Sequence, residues 1–127
     1  MKKIVFLFFI LMMSVSCSAS NVNELREKGK HYFYYANDSL QNVYNRTIKK
    51  YNECGIPVSN TFIDNSTGEA GISYTLVGHG FFAHNDMKEE RNNKTRIDVY
   101  GIITTGLVGD FMKIAQYAAE NKEGCPE

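Results

Sequence analysis

The chain has 127 residues, enough for one domain. Lysine and arginine number 14, as do aspartate and glutamate, so the formal net charge is zero. A nucleic-acid surface needs a basic excess to neutralise phosphates, and its absence sets that class of partner aside.

Residues 1–16 open with "MKK" and continue into the apolar run "IVFLFFILMMSV". A charged start, a short apolar stretch and a small-residue exit form a secretory signal. The run is shorter than the roughly 20 apolar residues a membrane span needs. Removing it takes Lys2 and Lys3 away and leaves 12 basic residues against 14 acidic ones, a net charge of −2.

The exit reads "SVSCSAS" over 14–20. An ordinary signal peptidase would accept the Ser16/Ser18 or Ser18/Ser20 pairs. A lipoprotein signal peptidase would cut before Cys17, which would then carry the lipid; Ser14 stands where that class usually has Leu. The cysteines are Cys17, Cys54 and Cys125, an odd count for an exported chain. Lipid on Cys17 leaves Cys54 and Cys125 to pair, which favours lipidation; a secreted domain without lipid is the alternative. The sequons at Asn37, Asn45, Asn65 and Asn93 read as the chance product of an asparagine-rich chain.

Residues 17–30 are polar without sustained periodicity and predict a tether. "HYFYYA" (31–36) predicts a strand. Leu40, Val43, Tyr44, Thr47, Ile48 and Tyr51 recur at helical spacing, with Asp38 and Gln41 as a capping box and Gly55 and Pro57 as the stop. "VSNTFIDNSTGEAGISYTLVG" predicts a hairpin turning at 64–69, with Ile72, Tyr74 and Leu76 on one face and Ser73, Thr75 and Val77 on the other. "HGFFAHNDMKEE" continues the sheet, "RNNK" turns, and "TRIDVYGIITT" returns with Ile97, Val99 and Ile103 on one face. Leu107, Val108, Phe111, Ala115 and Ala118 predict a last helix, capped by Thr105 and closed by Gly124.

The expected fold over 31–127 is α+β in the order β-α-β-β-β-β-α, a twisted antiparallel sheet with both helices on one face. Cys54 ends the first helix and Cys125 follows the second, so a bridge between them suits that packing and an oxidising compartment.

Little in the chain points to catalysis. His79 and His84 are five apart and would face opposite sides of a strand, and His31 is remote. Neither a metal nor another cofactor is expected. "GISYT" (71–75) lacks the second glycine of a nucleophile elbow, and Glu89–Glu90 fits a solvated hairpin tip. The glycines of "TTGLVGD" (104–110) suit close helix packing as well as anion binding. The aromatic run at 31–36 becomes a partner surface if its outward face stays uncovered.

The "SVSC" stretch, the helix ending in "YNEC", the hairpin "VSNTFIDNSTGEAGISYTL" and the closing "IAQYAAENKEGC" together resemble a small bacterial envelope lipoprotein family. The architecture is also similar to helix-grip domains of outer-membrane assembly lipoproteins. The resemblance implies an envelope lipoprotein with a two-cysteine α+β domain, and it brings no activity with it. The expectation is a non-enzymatic module lipidated at Cys17, binding a protein or another envelope component. Ser18 is not the Asp that retains lipoproteins in the inner membrane, so the outer membrane, facing the periplasm, is the expected address. A periplasmic inhibitor or immunity protein is the alternative role.

Overall fold

A computed structural model describes residues 18–76, 80–103 and 105–127; the expectations for Cys17, Val77 and His79 lie outside the described residues. The elements are α1 (Val22–Lys28), β1 (Lys30–Ala36), α2 (Leu40–Glu53), β2 (Ser59–Asp64), β3 (Glu69–Leu76), β4 (Gly80–Arg91), β5 (Lys94–Gly101) and α3 (Gly106–Ala119). The strands form one antiparallel sheet in the order β1-β5-β4-β3-β2. This is the expected α+β succession with one extra helix in front.

Strand alternation divides the sheet into two faces. Ile72 and Tyr74, Asn85 and Met87, and Ile97 and Val99 point inward and are buried. Cross-strand register puts Ser73, His84, Asp86, Asp98 and Tyr100 on the opposite face. Helices α2 and α3 cover the inner face. The α2 stripe of Leu40, Val43, Thr47 and Tyr51 is buried, as are Val108, Phe111, Ala115 and Ala118 of α3.

The α2 cap sits one residue later than expected. Ser39 is the N-cap and accepts from the Asn42 N–H, while Asp38 accepts from the Ser39 N–H and the Asn42 amide and pairs with Arg46. Either side chain can serve an exposed helix start, and here both do. Gly55 at φ 74 supplies the left-handed turn after α2.

Two expectations about apolar residues fail at the end of β5. The strand stops at Gly101, leaving Ile103 half-exposed, and Leu107 also faces solvent. The cause is the seat of α3. A Cβ on Gly101 would lie 2.7 Å from the Met112 sulfur and 3.0 Å from a Val108 methyl, so the first turn of α3 closes directly onto this glycine. Val108 and Met112, not Leu107, then face the sheet.

The core joins through Tyr51. Its ring stacks on Phe111 at 4.4 Å between centroids. Its hydroxyl donates to the Phe111 carbonyl at 3.0 Å and accepts from the Asn85 amide at 2.8 Å. Burial pushes the phenol pKa well up, which keeps the donor protonated. Cys54, the α2 C-cap, forms a disulfide with Cys125, 71 residues on, with 5.6 Å between Cα atoms.

The stretch 17–30, expected to be a tether, instead carries structure from residue 19 onward. Ala19 forms an antiparallel bridge with Phe81, with N–H to carbonyl distances of 2.9 and 2.8 Å. Asn21 caps α1 by accepting from the Glu24 N–H at 2.8 Å, and the Glu24 carboxylate reaches back to the Ser20 N–H. Leu25 is fully buried, apart from the main core. A helix of seven residues is unstable alone in water, so docking is what holds it.

Candidate functional site

Because α2 and α3 share the inner face, α1 alone among the described elements lies on the outer face. Arg26 of α1 reaches Asp86 on β4, Nε and Nη2 each 2.7 Å from a carboxylate oxygen. This bidentate pair continues into the sheet: His84 Nε2 lies 2.8 Å from Asp86 Oδ1, and His84 Nδ1 lies 2.7 Å from the Ser73 hydroxyl. A carboxylate can only accept, so the Nε2 proton lies toward Asp86, and in the neutral ring Nδ1 accepts from Ser73.

Serine, histidine and aspartate in a hydrogen-bonded row is the connectivity of a nucleophilic triad. Here Ser73 is 1% exposed and His84 3%. The neighbouring outer-face cleft touches Asp86 but is lined by neither Ser73 nor His84. In this setting the row fastens α1 to β4 and β3. The expected opposition of His79 and His84 has no described partner to compare, and the real partners of His84 come from register instead.

Burial raises the Asp86 carboxyl, but hydrogen bonds from His84 and Arg26 outweigh it and bring its pKa from 3.8 to about 2. The folded state therefore holds this carboxylate charged more strongly than the unfolded chain does. Its contribution is complete above pH 4 and is lost as the pH falls toward 2, on the order of 1–2 kcal/mol once solvent screening is allowed for. Acid titrations of stability are expected to show this loss in the wild type. Asp86→Asn should be weaker at neutral pH and flatter across the same window. Equal slopes for the two proteins would reject the latch.

The uncovered part of the outer face is aromatic. Phe33 is 53% exposed, Tyr35 40% and, on the far edge strand β2, Phe62 50%. The Arg96 guanidinium lies 4.4 Å from the centre of the Phe33 ring, donates to the Tyr35 hydroxyl and chelates Asp98. Those bonds raise its pKa and keep it charged. His31 stacks on Tyr100 at 4.6 Å and contacts the same Asp98 oxygen at 2.7 Å. Lys94 sits over Tyr35. Between these groups and Phe62 lies a cleft of about 300 Å³, lined by Arg26, Glu69, Asp86, Lys88 and Asp98. The Phe62 ring lies directly over Gly71, where an added Cβ would meet it at 2.4 Å.

No protein-family model matches the chain, and neither does any curated protein. Among the described residues no three His, Cys, Asp or Glu side chains converge as a metal site, and no helix is long and apolar enough to cross a membrane. The outer face does carry exposed rings and an arginine that lies over them. Aromatic residues and arginine are the groups enriched at protein interfaces, where they supply large contact area with little entropy loss. The cations here are matched by Glu69, Asp86 and Asp98, which gives the face both signs of charge and no strong field.

The aromatic run at 31–36 pointed to this surface, on condition that one side stayed uncovered. Arg96, Asp98, Tyr100 and Phe62 carry no such signal in the sequence, because their meeting depends on strand order: β1 lies beside β5, the strand most distant from it in sequence.

Proposed function

We propose that this chain is a non-enzymatic bacterial envelope lipoprotein, held to a membrane through Cys17, whose outer sheet face binds a protein partner. The observation that carries the binding role is the exposed Phe33–Tyr35–Arg96 cluster beside the Phe62 cleft, on a face that no second layer of helices covers among the described residues. A soluble domain gains nothing in stability from leaving three large rings in water, and such patches mark interaction sites. The sealed position of Ser73 supports a binding module over a hydrolase. The signal-like run at 1–16, the "SVSC" stretch and the pairing of the other two cysteines support lipidation and an outer-membrane address. The pairing leaves Cys17 as the unmatched thiol.

Photo-crosslinking in intact cells tests the binding role. With a benzophenone amino acid at Phe33 or Phe62, one discrete protein adduct is expected; at Lys113, on the exposed side of α3, none is. Phe33→Ala with Tyr35→Ala should weaken recovery of that partner roughly 30-fold, the effect of losing about 2 kcal/mol at an interface centre. Absence of any adduct from both face positions would reject the proposal. Fatty-acid labelling of the wild type against Cys17→Ala tests the anchor separately.

A further inference from the structure

The route from Cys17 into the fold is short. Ala19 is buried and bridged to Phe81 through both backbone hydrogen bonds, and Gly80 is so close that a Cβ there would lie 2.6 Å from the Ala19 carbonyl oxygen. Only Ser18 separates this fixed point from Cys17. Two residue steps span at most about 7 Å. A lipid on Cys17 would therefore pull one particular end of the sheet to the bilayer.

That end is apolar in an unusual way. Ala19 occupies the position beside β4 where β5 has already left, and the Ile102 N–H bonds the Phe82 carbonyl at 3.1 Å, so Ile103 emerges next to the bridge. Ile103 is 51% exposed and Leu107, on the first turn of α3, 54% exposed. Lys30 begins β1 opposite Gly101 at the same end, and Lys28 precedes it at the end of α1. Aliphatic side chains flanked by lysines form the pattern of a surface seated in the interfacial layer of a membrane.

We propose that the rim formed by Ile103 and Leu107 beside the Ala19–Phe81 bridge rests in a phospholipid bilayer. This rests on acylation of Cys17, as proposed above. The rim then acts as a second membrane contact beside the lipid, and together they fix the orientation of the domain. The strands run away from the membrane, and β4, with 12 residues, places the Asn92–Asn93 turn about 40 Å from the rim. The Phe33–Phe62 face is left standing upright and open to the periplasm, not pressed against lipid.

The chain contains no tryptophan, so single tryptophans report without background. Full-length, lipid-processed protein carrying Ile103→Trp, Leu107→Trp or Asn92→Trp would be reconstituted into phosphatidylcholine vesicles with and without brominated acyl chains. Emission from Ile103→Trp and Leu107→Trp should fall about twofold or more in brominated vesicles, as shallow insertion requires, and that from Asn92→Trp should not change. Unquenched emission from both rim positions in vesicle-bound, acylated protein would overturn the rim and leave the anchor standing. Wild-type protein that takes up no fatty acid and does not float with vesicles would overturn the anchor and the rim together.

Discussion

Removing the Cys54–Cys125 bridge, by Cys54→Ala together with Cys125→Ala, is expected to lower the unfolding free energy by about 4 kcal/mol. The bridge closes a loop spanning 71 residues of separation, which encloses β2, β3, β4, β5 and α3. Its main effect is to limit the unfolded chain. For a domain whose whole stability lies within roughly 5–15 kcal/mol, the loss is a large share. The native geometry around it should survive, because other bonds also hold the tail: Arg46 Nε donates to the Ala118 carbonyl at 2.7 Å and Lys50 Nζ to the Gly124 carbonyl at 3.2 Å. The double variant should therefore be folded at 25 °C but unfold at much lower urea, with the wild type in reductant matching it. Coincident urea midpoints for oxidised wild type and double variant would reject the bridge as a stabilising element.

The second large effect is local. Leu25→Ala should undock α1 while leaving the rest of the sheet intact. Deleting a buried leucine side chain costs about 2–5 kcal/mol where the site cannot collapse. Here the loss is limited to what holds residues 18–29 down, since those residues can leave on their own. Amide exchange across Val22–Lys28 is expected to accelerate by about 30-fold or more, equivalent to about 2 kcal/mol. Protection in β3, β4 and α2 should stay near wild type. Arg26→Ala should give a smaller change, because its ion pair with Asp86 is partly in water. Unchanged α1 exchange in Leu25→Ala would mean that the helix is not held by this plug.

These two sites differ in how visible they are in the sequence. The α2 stripe repeats over 14 residues and β3 alternates cleanly, so local periodicity alone defines them. The cysteine pairing was legible by counting. Helix α1 is short and has one fully buried residue, so periodicity had nothing to repeat. Its one readable trace was "SNVNE" at 20–24, an asparagine cap followed three residues later by glutamate. The row from Ser73 to His84 to Asp86 was less legible still. It exists because Ser73 stands opposite His84 and Asp86 lies two residues further along the same face. Register is set by the whole sheet, and a slip of one residue would turn every one of those side chains to the core. The exposure of Ile103 and Leu107 follows from the close seating of α3 on Gly101 through Val108 and Met112, a packing result that a hydrophobic pattern does not encode.

The placement of β1 has a consequence for the order in which the chain can mature. Among the described residues β1 pairs with β5 alone, Lys30 with Gly101 through Ala36 with Thr95, and Cys54 waits for Cys125. In a chain made N-terminus first, β1 is an orphan until β5 follows. Its rings at Tyr32, Phe33 and Tyr35 travel unsheltered for the whole interval. Such a strand edge invites wrong partners. Escort by a holding chaperone would matter most in that window, and a ribosome stalled before residue 95 would leave an aggregation-prone stump and not a half-finished domain.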